Sequence, residues 1–555
     1  MIGATADAVA RLLPRGSDYA GLQRSWRRDV LAGVTVGVVA LPLALAFGIS
    51  SGVGAAAGLI TAVVAGLVAA VFGGSHVQVS GPTGAMAVVL APIVTHYGVG
   101  SIALVTVLAG LIVVAAGVTG LGRAVTFIPW PVIEGFTLGI AAIIFLQQVP
   151  AAFGSNAPAG QRPLVAAFHL VGGADWAVAA RTLLVAALAA ALMIGLPRLH
   201  RAIPESLTAV VAATLLVVVG GIPVARIGRL PSHLPTPLLP HADLSALRAL
   251  LGAAVAIAAL AAIESLLSAR VAATMSPTGP YDPNRELVGQ GLASVASGVF
   301  GGMPATGAIA RSAVNVRSGA RTRVSAITHS LVLLCVVYFA TGPVSAIPLC
   351  ALAAVLMVTS FRMISAQTIG RILRSTRSDA LTFVLTAAVT VCFDLIEAVQ
   401  IGIVVAAVFA LHSVARRSSV TREDLPGPPC PGDEQIALLR LDGAMFFGVA
   451  ERISNMITDG NRREVTVVII RMSKLGMLDA TGAHTLGRVA DELESRGITV
   501  IIKGVQAEHM DLLTNVGTIA SLRHENHLID SLDDAIAHAR SHSGRAQRDI
   551  VPDSR

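Results

Sequence analysis

Between Val30 and Gly122 the sequence contains no aspartate, glutamate, lysine or arginine. In soluble proteins about a quarter of all residues are charged, and these residues cover the surface. In this chain only 13% of the residues are charged. A membrane-spanning helix needs about 20 apolar residues, so the uncharged run can supply several spans. Charged residues return at an ordinary frequency only from about residue 416. The sequence therefore predicts one large membrane domain followed by one small soluble domain.

The apolar segments fall into two sets of seven, separated by a polar, proline-rich stretch at 221–247. A span can be shorter than usual where it is buried in protein. We predict the first set near 29–50, 55–73, 83–97, 101–120, 131–149, 177–196 and 203–220. We predict the second set near 248–270, 286–301, 306–317, 324–342, 346–361, 378–394 and 397–415.

Arginines flank the membrane domain (29–415) on both sides and indicate its orientation. Positively charged loops stay on the cytoplasmic side. Both termini are therefore expected in the cytoplasm, including an N-terminal segment at 1–28, in a multi-pass protein of the plasma (inner) membrane. The same loops account for the net charge of +7 better than nucleic-acid binding does. The flanking arginines are Arg11, Arg15, Arg24, Arg27 and Arg28 before the first span, and Arg416, Arg417 and Arg422 after the last.

The two sets of spans share an internal similarity. The third span opens with Ser80–Ala85 (SGPTGA) and the tenth with Met303–Ala308 (MPATGA). Both are short and interrupted by Gly and Pro, and matched interrupted helices are the best sequence indication of a transporter's binding site. The alternative is that Pro and Gly merely begin two ordinary helices.

Two helix N-termini that meet inside a membrane offer unpaired N–H groups and partial positive charge to an anion. Threonine hydroxyls add donors, and small residues let the backbone approach the ligand. Arg311 supplies a fixed positive charge, unless it only extends toward the membrane edge. This chemistry suits a carboxylate, bicarbonate or sulfate. The candidate substrate-binding residues are Ser80, Thr83, Gly84, Ala85, Thr306, Gly307, Ala308 and Arg311.

Glu264 lies in the middle of an otherwise apolar span. An unpaired carboxylate there is costly, so it should be protonated, paired or bound to a cation. Ser268 lies one helical turn further along the same face. The pair could carry a coupled proton or coordinate Na⁺; the structural alternative is a hydrogen bond to a neighbouring helix.

The C-terminal part predicts a small α/β domain at 434–541, after a linker at 416–433 and before a disordered tail at 542–555. Strands are predicted at Ile436–Leu441, Val465–Ile470 and Thr499–Ile502, and helices at Glu451–Thr458, Thr481–Ser495 and Leu532–Arg540.

Asp479 is predicted to cap the helix that follows it. A weaker, regulatory hypothesis places a phosphate on Thr481 at the same helix start. The spacing of the four cysteines matches neither a metal site nor a disulfide framework. No nucleophile–base pair, phosphate loop or metal spacing indicates an enzyme, and no cofactor is expected beyond a co-transported ion.

These motifs closely resemble those of SulP-family anion transporters with a C-terminal STAS domain, from about Asp29 to Arg540. The resemblance rests on DVLAG (Asp29–Gly33), ALPLALA (Ala40–Ala46), VSGPTG (Val79–Gly84), AIESLL (Ala262–Leu267), ELVGQG (Glu286–Gly291), ATGAIARS (Ala305–Ser312) and, in the STAS part, LDATGA (Leu478–Ala483).

The resemblance implies a polytopic α-helical membrane protein of fourteen spans, built as a seven-plus-seven inverted repeat with core and gate subdomains. It also implies an elevator-like movement, a homodimer, a substrate between the starts of spans three and ten, and cation coupling at Glu264. Family substrates include sulfate, bicarbonate, chloride and C4-dicarboxylates. Glu264 and Ser268 replace the aspartate and threonine of the Na⁺-dependent bicarbonate branch, which favours H⁺ over Na⁺.

Four other functions remain open at this point: a Na⁺-coupled bicarbonate symporter, an anion channel or exchanger gated by the STAS domain, a membrane-tethered scaffold acting through a cytoplasmic partner of that domain, and a nucleobase carrier. A buried Glu264 fits coupled transport better than passive conduction. Arg311 and the STAS tail argue against the nucleobase carrier.

Overall fold

A computed structural model of the chain describes residues 12–19, 21–123, 130–155, 164–167, 175–199, 204–240, 244–392, 404, 408, 418–446 and 465–550. The chain divides into two compact units, one that ends at Val404 and one that begins at Val405. Each unit is described by itself.

The first unit is helical, and a helix coincides with each of the first thirteen predicted spans. The fourteenth, at 397–415, lies almost wholly outside the described residues. The thirteen helices are α1 (Leu22–Ser50), α2 (Ala55–Phe72), α3 (Gly84–Tyr97), α4 (Ser101–Val118), α5 (Trp130–Ala152), α6 (Trp176–Leu199), α7 (Glu205–Val219), α8 (Leu244–Met275), α9 (Pro283–Val299), α10 (Ile309–Arg317), α11 (Val324–Phe339), α12 (Leu349–Met363) and α13 (Arg377–Cys392).

Among the described residues, seven helical segments are long and apolar enough to cross a membrane: α1, α2, α4, α5, α6, α8 and Leu349–Leu373, which includes α12. Helices α3, α7 and α11 are apolar but shorter. Helices α3 and α10 are short because a two-residue strand precedes each: β1 (Ser80–Gly81) and β2 (Thr306–Gly307). Pro82 and Pro304 lack a backbone N–H and thus keep the segments before these helices non-helical.

Two groups of helices pack within this unit. Helices α1 to α4 pack with α8 to α11, and helices α5 to α7 pack with α12 and α13. These groups correspond to the expected core and gate, each drawing elements from both halves of the sequence. Close packing in the core depends on glycine where α1 meets α2: a Cβ on Gly58 would collide with the carbonyl oxygen of Ala44.

A buried ion pair ties the segment before α1 to the start of α9. Both guanidinium Nη atoms of Arg285 donate to the Asp18 carboxylate, at 2.9 and 2.5 Å. Burial alone would raise the pKa of Asp18, but the hydrogen bonds from Arg285 and the backbone N–H of Arg15 outweigh it and hold that pKa at about 2. The pair is therefore charged at every working pH.

We expect Asp18→Asn to lower the apparent Tm of the purified protein by about 5–10 °C, because it leaves Arg285 buried without its counter-charge. A carboxylate with a depressed pKa contributes its stability above its unfolded pKa of about 4, so the loss should be the same from pH 5 to pH 8. Asp379→Asn, at a half-exposed aspartate of α13, is the matched control. If the Asp18→Asn and Asp379→Asn variants have the same Tm, the Asp18–Arg285 ion pair does not stabilise the fold.

The second unit contains one five-stranded sheet in the order β3-β4-β5-β6-β7. Strand β3 pairs antiparallel with β4, and the remaining neighbours are parallel. Buried Val, Ile and Leu residues on the two faces of the sheet pack against the helices. The elements are β3 (Ser419–Glu423), β4 (Ile436–Met445), β5 (Val467–Leu478), α14 (Ala480–Ser495), β6 (Thr499–Lys503), α15 (Ala507–Val516), β7 (Leu528–Ile529) and α16 (Leu532–Ile550).

The α/β prediction for this unit is confirmed, with two corrections. The expected linker at 416–433 contains β3. The sequence does not indicate this strand because a strand at the edge of a sheet needs few apolar residues. The expected disordered tail from residue 542 overlaps α16, which continues to Ile550. The helix predicted at Glu451–Thr458 lies outside the described residues.

Candidate functional site: two helix starts around a glutamate carboxylate

The starts of α3 and α10 meet in the middle of the core, as the internal similarity predicts. Strands β1 and β2 pair antiparallel, with Ser80 opposite Gly307 and Gly81 opposite Thr306. The backbone N–H of Ala308 also donates to the carbonyl of Val79 at 2.9 Å. This short ladder aligns the two helix N-termini on one point.

The carboxylate of Glu264 occupies that point. Its Oε2 accepts hydrogen bonds from the hydroxyls of Thr306 at 2.8 Å and Thr83 at 3.0 Å. The two threonine oxygens are 3.2 Å apart. Within the described part of the chain, Oε1 of Glu264 forms no hydrogen bond. A residue of α8 thus links the two threonines that were predicted to bind substrate.

Arg311 is buried, with 3% of its surface exposed, which excludes the alternative of an arginine extended to the membrane edge. Its Nη2 donates to the carbonyl of Pro82 at 2.6 Å. Its Nη1 is buried without a hydrogen-bond partner among the described residues. A guanidinium fixed by one nitrogen thus has a second nitrogen free to donate to a ligand.

Glycines leave room for three neighbouring side chains at this junction. A Cβ on Gly81 would lie 2.7 Å from Nη1 of Arg311. A Cβ on Gly307 would collide with the side chain of Gln78, and one on Gly84 would collide with Ile144. The side chains of Arg311, Gln78 and Ile144 therefore occupy the space that these Cβ atoms would take. Ala85 and Ala308, the neighbouring small residues, are likewise buried.

Four polar residues that the sequence analysis did not single out hold the two strands in place. Ser265 accepts from the backbone N–H of Gly307 at 3.1 Å, and its carbonyl accepts from Gln78 at 3.3 Å. Ser312 accepts from the backbone N–H of Val79 at 3.0 Å. Gln290 donates to the hydroxyl of Ser80 at 2.5 Å.

Ser268, the second predicted coupling residue, forms no hydrogen bond with Glu264 in the described part of the chain. Its hydroxyl lies 3.4 Å from that of Ser312, within the scaffold that supports β1. One helical turn separates it from Glu264, as predicted, but the two side chains form hydrogen bonds with different residues. The hydrogen bonds to Glu264 come from the two threonines, and a joint coupling site at Glu264 and Ser268 stays a prediction.

In the second unit, Asp479 caps α14, as predicted. Its carboxylate accepts from the backbone N–H of Gly482 at 2.7 Å. Thr481 is exposed on the first turn of the same helix. A phosphate on Thr481 stays a prediction at this exposed position.

We expect Thr306→Val to slow anion uptake about 10- to 100-fold, since the substitution removes a hydroxyl that bonds a charged, half-buried group. Thr306→Ser keeps the hydroxyl and should keep most of the activity. Initial uptake rates in proteoliposomes measure the difference. If the valine and serine variants take up the anion at similar rates, the Thr306 hydroxyl does not contribute to transport.

Comparison with known proteins identifies both units. Residues 26–386 match the model of the sulfate permease family, and residues 428–535 match the STAS domain. The chain is 32% identical over 522 residues to a putative sulfate transporter, YvdB, of Bacillus subtilis, covering 92% of this chain and 97% of that protein. It is 30% identical over 510 residues to the bicarbonate transporter BicA of Synechocystis, covering 87% and 89%.

Solved structures agree on the architecture. The transmembrane domain of a cyanobacterial bicarbonate transporter BicA matches with a TM-score of 0.62 at 33% identity, over 68% of this chain and 98% of that one. The overall structure of SLC26A9 matches with a TM-score of 0.84 over 99% and 96%, at 16% identity, which indicates a shared fold.

Proposed function

This chain belongs to the sulfate permease family, and we propose that it is a proton-coupled symporter of a small oxyanion, with Glu264 as the proton site. The family transports anions, and its members are transporters rather than enzymes. The observation that supports proton coupling is the double hydrogen bond from Thr83 and Thr306 to Glu264.

Anion binding at this site requires a change in Glu264. While the glutamate is ionised, it occupies both threonine hydroxyls and repels a second negative charge. Protonation removes the charge and converts one carboxylate oxygen from an acceptor to a donor. The hydroxyls and the helix N-termini can then turn to the substrate. Proton binding and anion binding thus favour each other, which is the requirement for symport.

The donors at the junction suit an oxyanion. Nη1 of Arg311, the two threonine hydroxyls and the N–H groups at two helix starts can surround several acceptor oxygens at once. Sulfate is our leading candidate because it offers four such oxygens and because YvdB is named as a putative sulfate transporter. Bicarbonate, after the name of BicA, and C4-dicarboxylates are the other candidates.

The described neighbours of Glu264 favour H⁺ over Na⁺. A bound Na⁺ needs several oxygen lone pairs directed at one point. Here both threonine hydroxyls direct a hydrogen at Oε2, and the hydroxyl of Ser268 is engaged with Ser312. A proton needs only one carboxylate oxygen, and Oε1 is free to accept it within the described part of the chain.

We further propose that the core carries the substrate in an elevator-like movement against the gate. Thr83, Glu264, Thr306 and Arg311 all lie on core elements. Movement of the core would carry the whole site without breaking the hydrogen bonds within it. We place the protein in the plasma (inner) membrane as a homodimer, with both termini in the cytoplasm.

The test is labelled uptake into proteoliposomes with an inward proton gradient. Labelled sulfate, bicarbonate and succinate are supplied separately, and each is then used as an unlabelled competitor. We expect sulfate to accumulate above its external concentration, and to do so only with the gradient. If only bicarbonate or only succinate accumulates, that anion is the substrate instead of sulfate. If every anion merely equilibrates, whether or not the proton gradient is present, the protein is not a proton-coupled symporter.

A further inference from the structure

Three histidines converge in the second unit, whereas the candidate transport site belongs to the first. His527 lies at the end of the short 3-10 turn Glu525–His527, before β7, and His538 and His542 lie on α16. One ring nitrogen from each lies within 4.8 Å of those of the other two. We propose that these three residues form a binding site for a transition-metal dication, with Zn²⁺ as the ion that fits it best.

The two helical histidines already have the spacing of metal ligands. His538 and His542 are separated by one turn of α16, the arrangement in which two histidines on one helix face bind zinc. Their Nε2 atoms are 3.4 Å apart. Two nitrogens bound to zinc at 2.0–2.1 Å in tetrahedral geometry would be about 3.3–3.4 Å apart. The pair therefore needs almost no rearrangement to bind the ion.

His527 gives the second, independent observation. The residue is 1% exposed, and neither ring nitrogen forms a hydrogen bond with good geometry among the described residues. A buried polar atom without a partner costs free energy, which a metal bond would offset. The backbone of Val500 lies beside the ring, and metal-bound histidines commonly donate their second N–H to a backbone carbonyl.

A hydrogen bond between His538 and His542 alone would explain their short separation. It would not explain why a third, buried ring stacks edge-on against both, with centroids 5.4 Å away.

Imidazole ligands suit Zn²⁺, Cu²⁺ and Ni²⁺, and three histidines leave a fourth position of a tetrahedron open. The exposed ring of His524, with its centroid 5.5 Å from that of His527, stands near this group. A bound ion would join the turn before β7 to α16. It would thereby couple the order of the C-terminal helix to metal availability, a property separate from transport.

The test uses the full-length protein, purified in detergent and stripped with EDTA. Zn²⁺ is titrated against a chromophoric chelator, and Co²⁺ is added separately to reveal a tetrahedral site by its visible absorption. We expect one tightly bound Zn²⁺ per chain. His538→Gln and His542→Gln, at half-exposed positions, should each weaken it at least about tenfold and abolish the Co²⁺ spectrum.

His484→Gln is the matched control, at an exposed histidine of α14 in the same unit. It should bind both ions as the unsubstituted protein does. Two results would overturn the proposal: Zn²⁺ binding that His538→Gln and His542→Gln leave unchanged, or weak binding by several surface sites without the Co²⁺ signature. Because His538 and His542 are half-exposed, a melting curve can verify that their variants remain folded.

Discussion

Glu264→Gln is expected to abolish proton-driven accumulation of the anion while preserving anion exchange. Glutamine has the shape of protonated glutamate and keeps an oxygen that can accept from Thr83 and Thr306, but it cannot release a proton. A gradient of two pH units supplies about 2.7 kcal/mol per proton, sufficient for roughly hundredfold accumulation. The variant should lose all of this and bring the anion only to equilibrium.

The measurement is paired: uptake with and without the proton gradient, and exchange of labelled anion into vesicles preloaded with unlabelled anion. Retained exchange shows that the variant is folded and binds substrate. Glu134→Gln, at the start of α5 where the carboxylate accepts from Trp130 at the surface, is the matched control and should accumulate normally. Gradient-driven accumulation by Glu264→Gln would exclude Glu264 as the proton site.

Arg311→Gln is expected to weaken anion binding at least about 30-fold. Truncating one partner of a buried, hydrogen-bonded charge pair costs about 2–5 kcal/mol. Arg311 is buried, and its Nη1 has no hydrogen-bond partner among the residues that the structure describes. The loss should appear as a higher apparent KM for uptake and as a weaker effect of unlabelled competitor.

Arg317→Gln provides the control for Arg311. It lies at the end of the same helix, α10, and is exposed. It should transport with an unchanged KM. If the two arginine variants behave alike, the guanidinium of Arg311 serves packing of the core rather than anion binding. Arg311→Lys, which keeps the charge but not the planar donor pair, should recover only part of the affinity.

The sequence predicts most of the membrane fold because apolar length and charge decide where a helix can span a bilayer. Thirteen of the described helices coincide with predicted spans, and the similarity of SGPTGA and MPATGA predicts that the starts of α3 and α10 are equivalent. In the structure the two similar segments pair with each other, with Ser80 opposite Gly307.

The supporting residues were not predictable in the same way. In the sequence, nothing distinguishes Gln78, Ser265 and Ser312 from other polar residues. Their hydrogen bonds to particular backbone groups depend on the register of the two short strands, which the sequence does not reveal. Ser268 shares a helix face with Glu264, but its partner is decided by the position of α10. Strand β3 was missed because it pairs along one edge only. The three histidines were missed because a turn and a strand separate His527 from α16.

The most direct test of proton-coupled symport is the movement of protons driven by the anion itself. Proteoliposomes containing a trapped pH indicator receive an inward sulfate gradient with equal pH on both sides. We predict internal acidification with unsubstituted protein that follows sulfate entry, and none with Glu264→Gln. Sulfate entry at the normal rate without acidification would contradict the account and assign the protein to uncoupled or sodium-coupled transport.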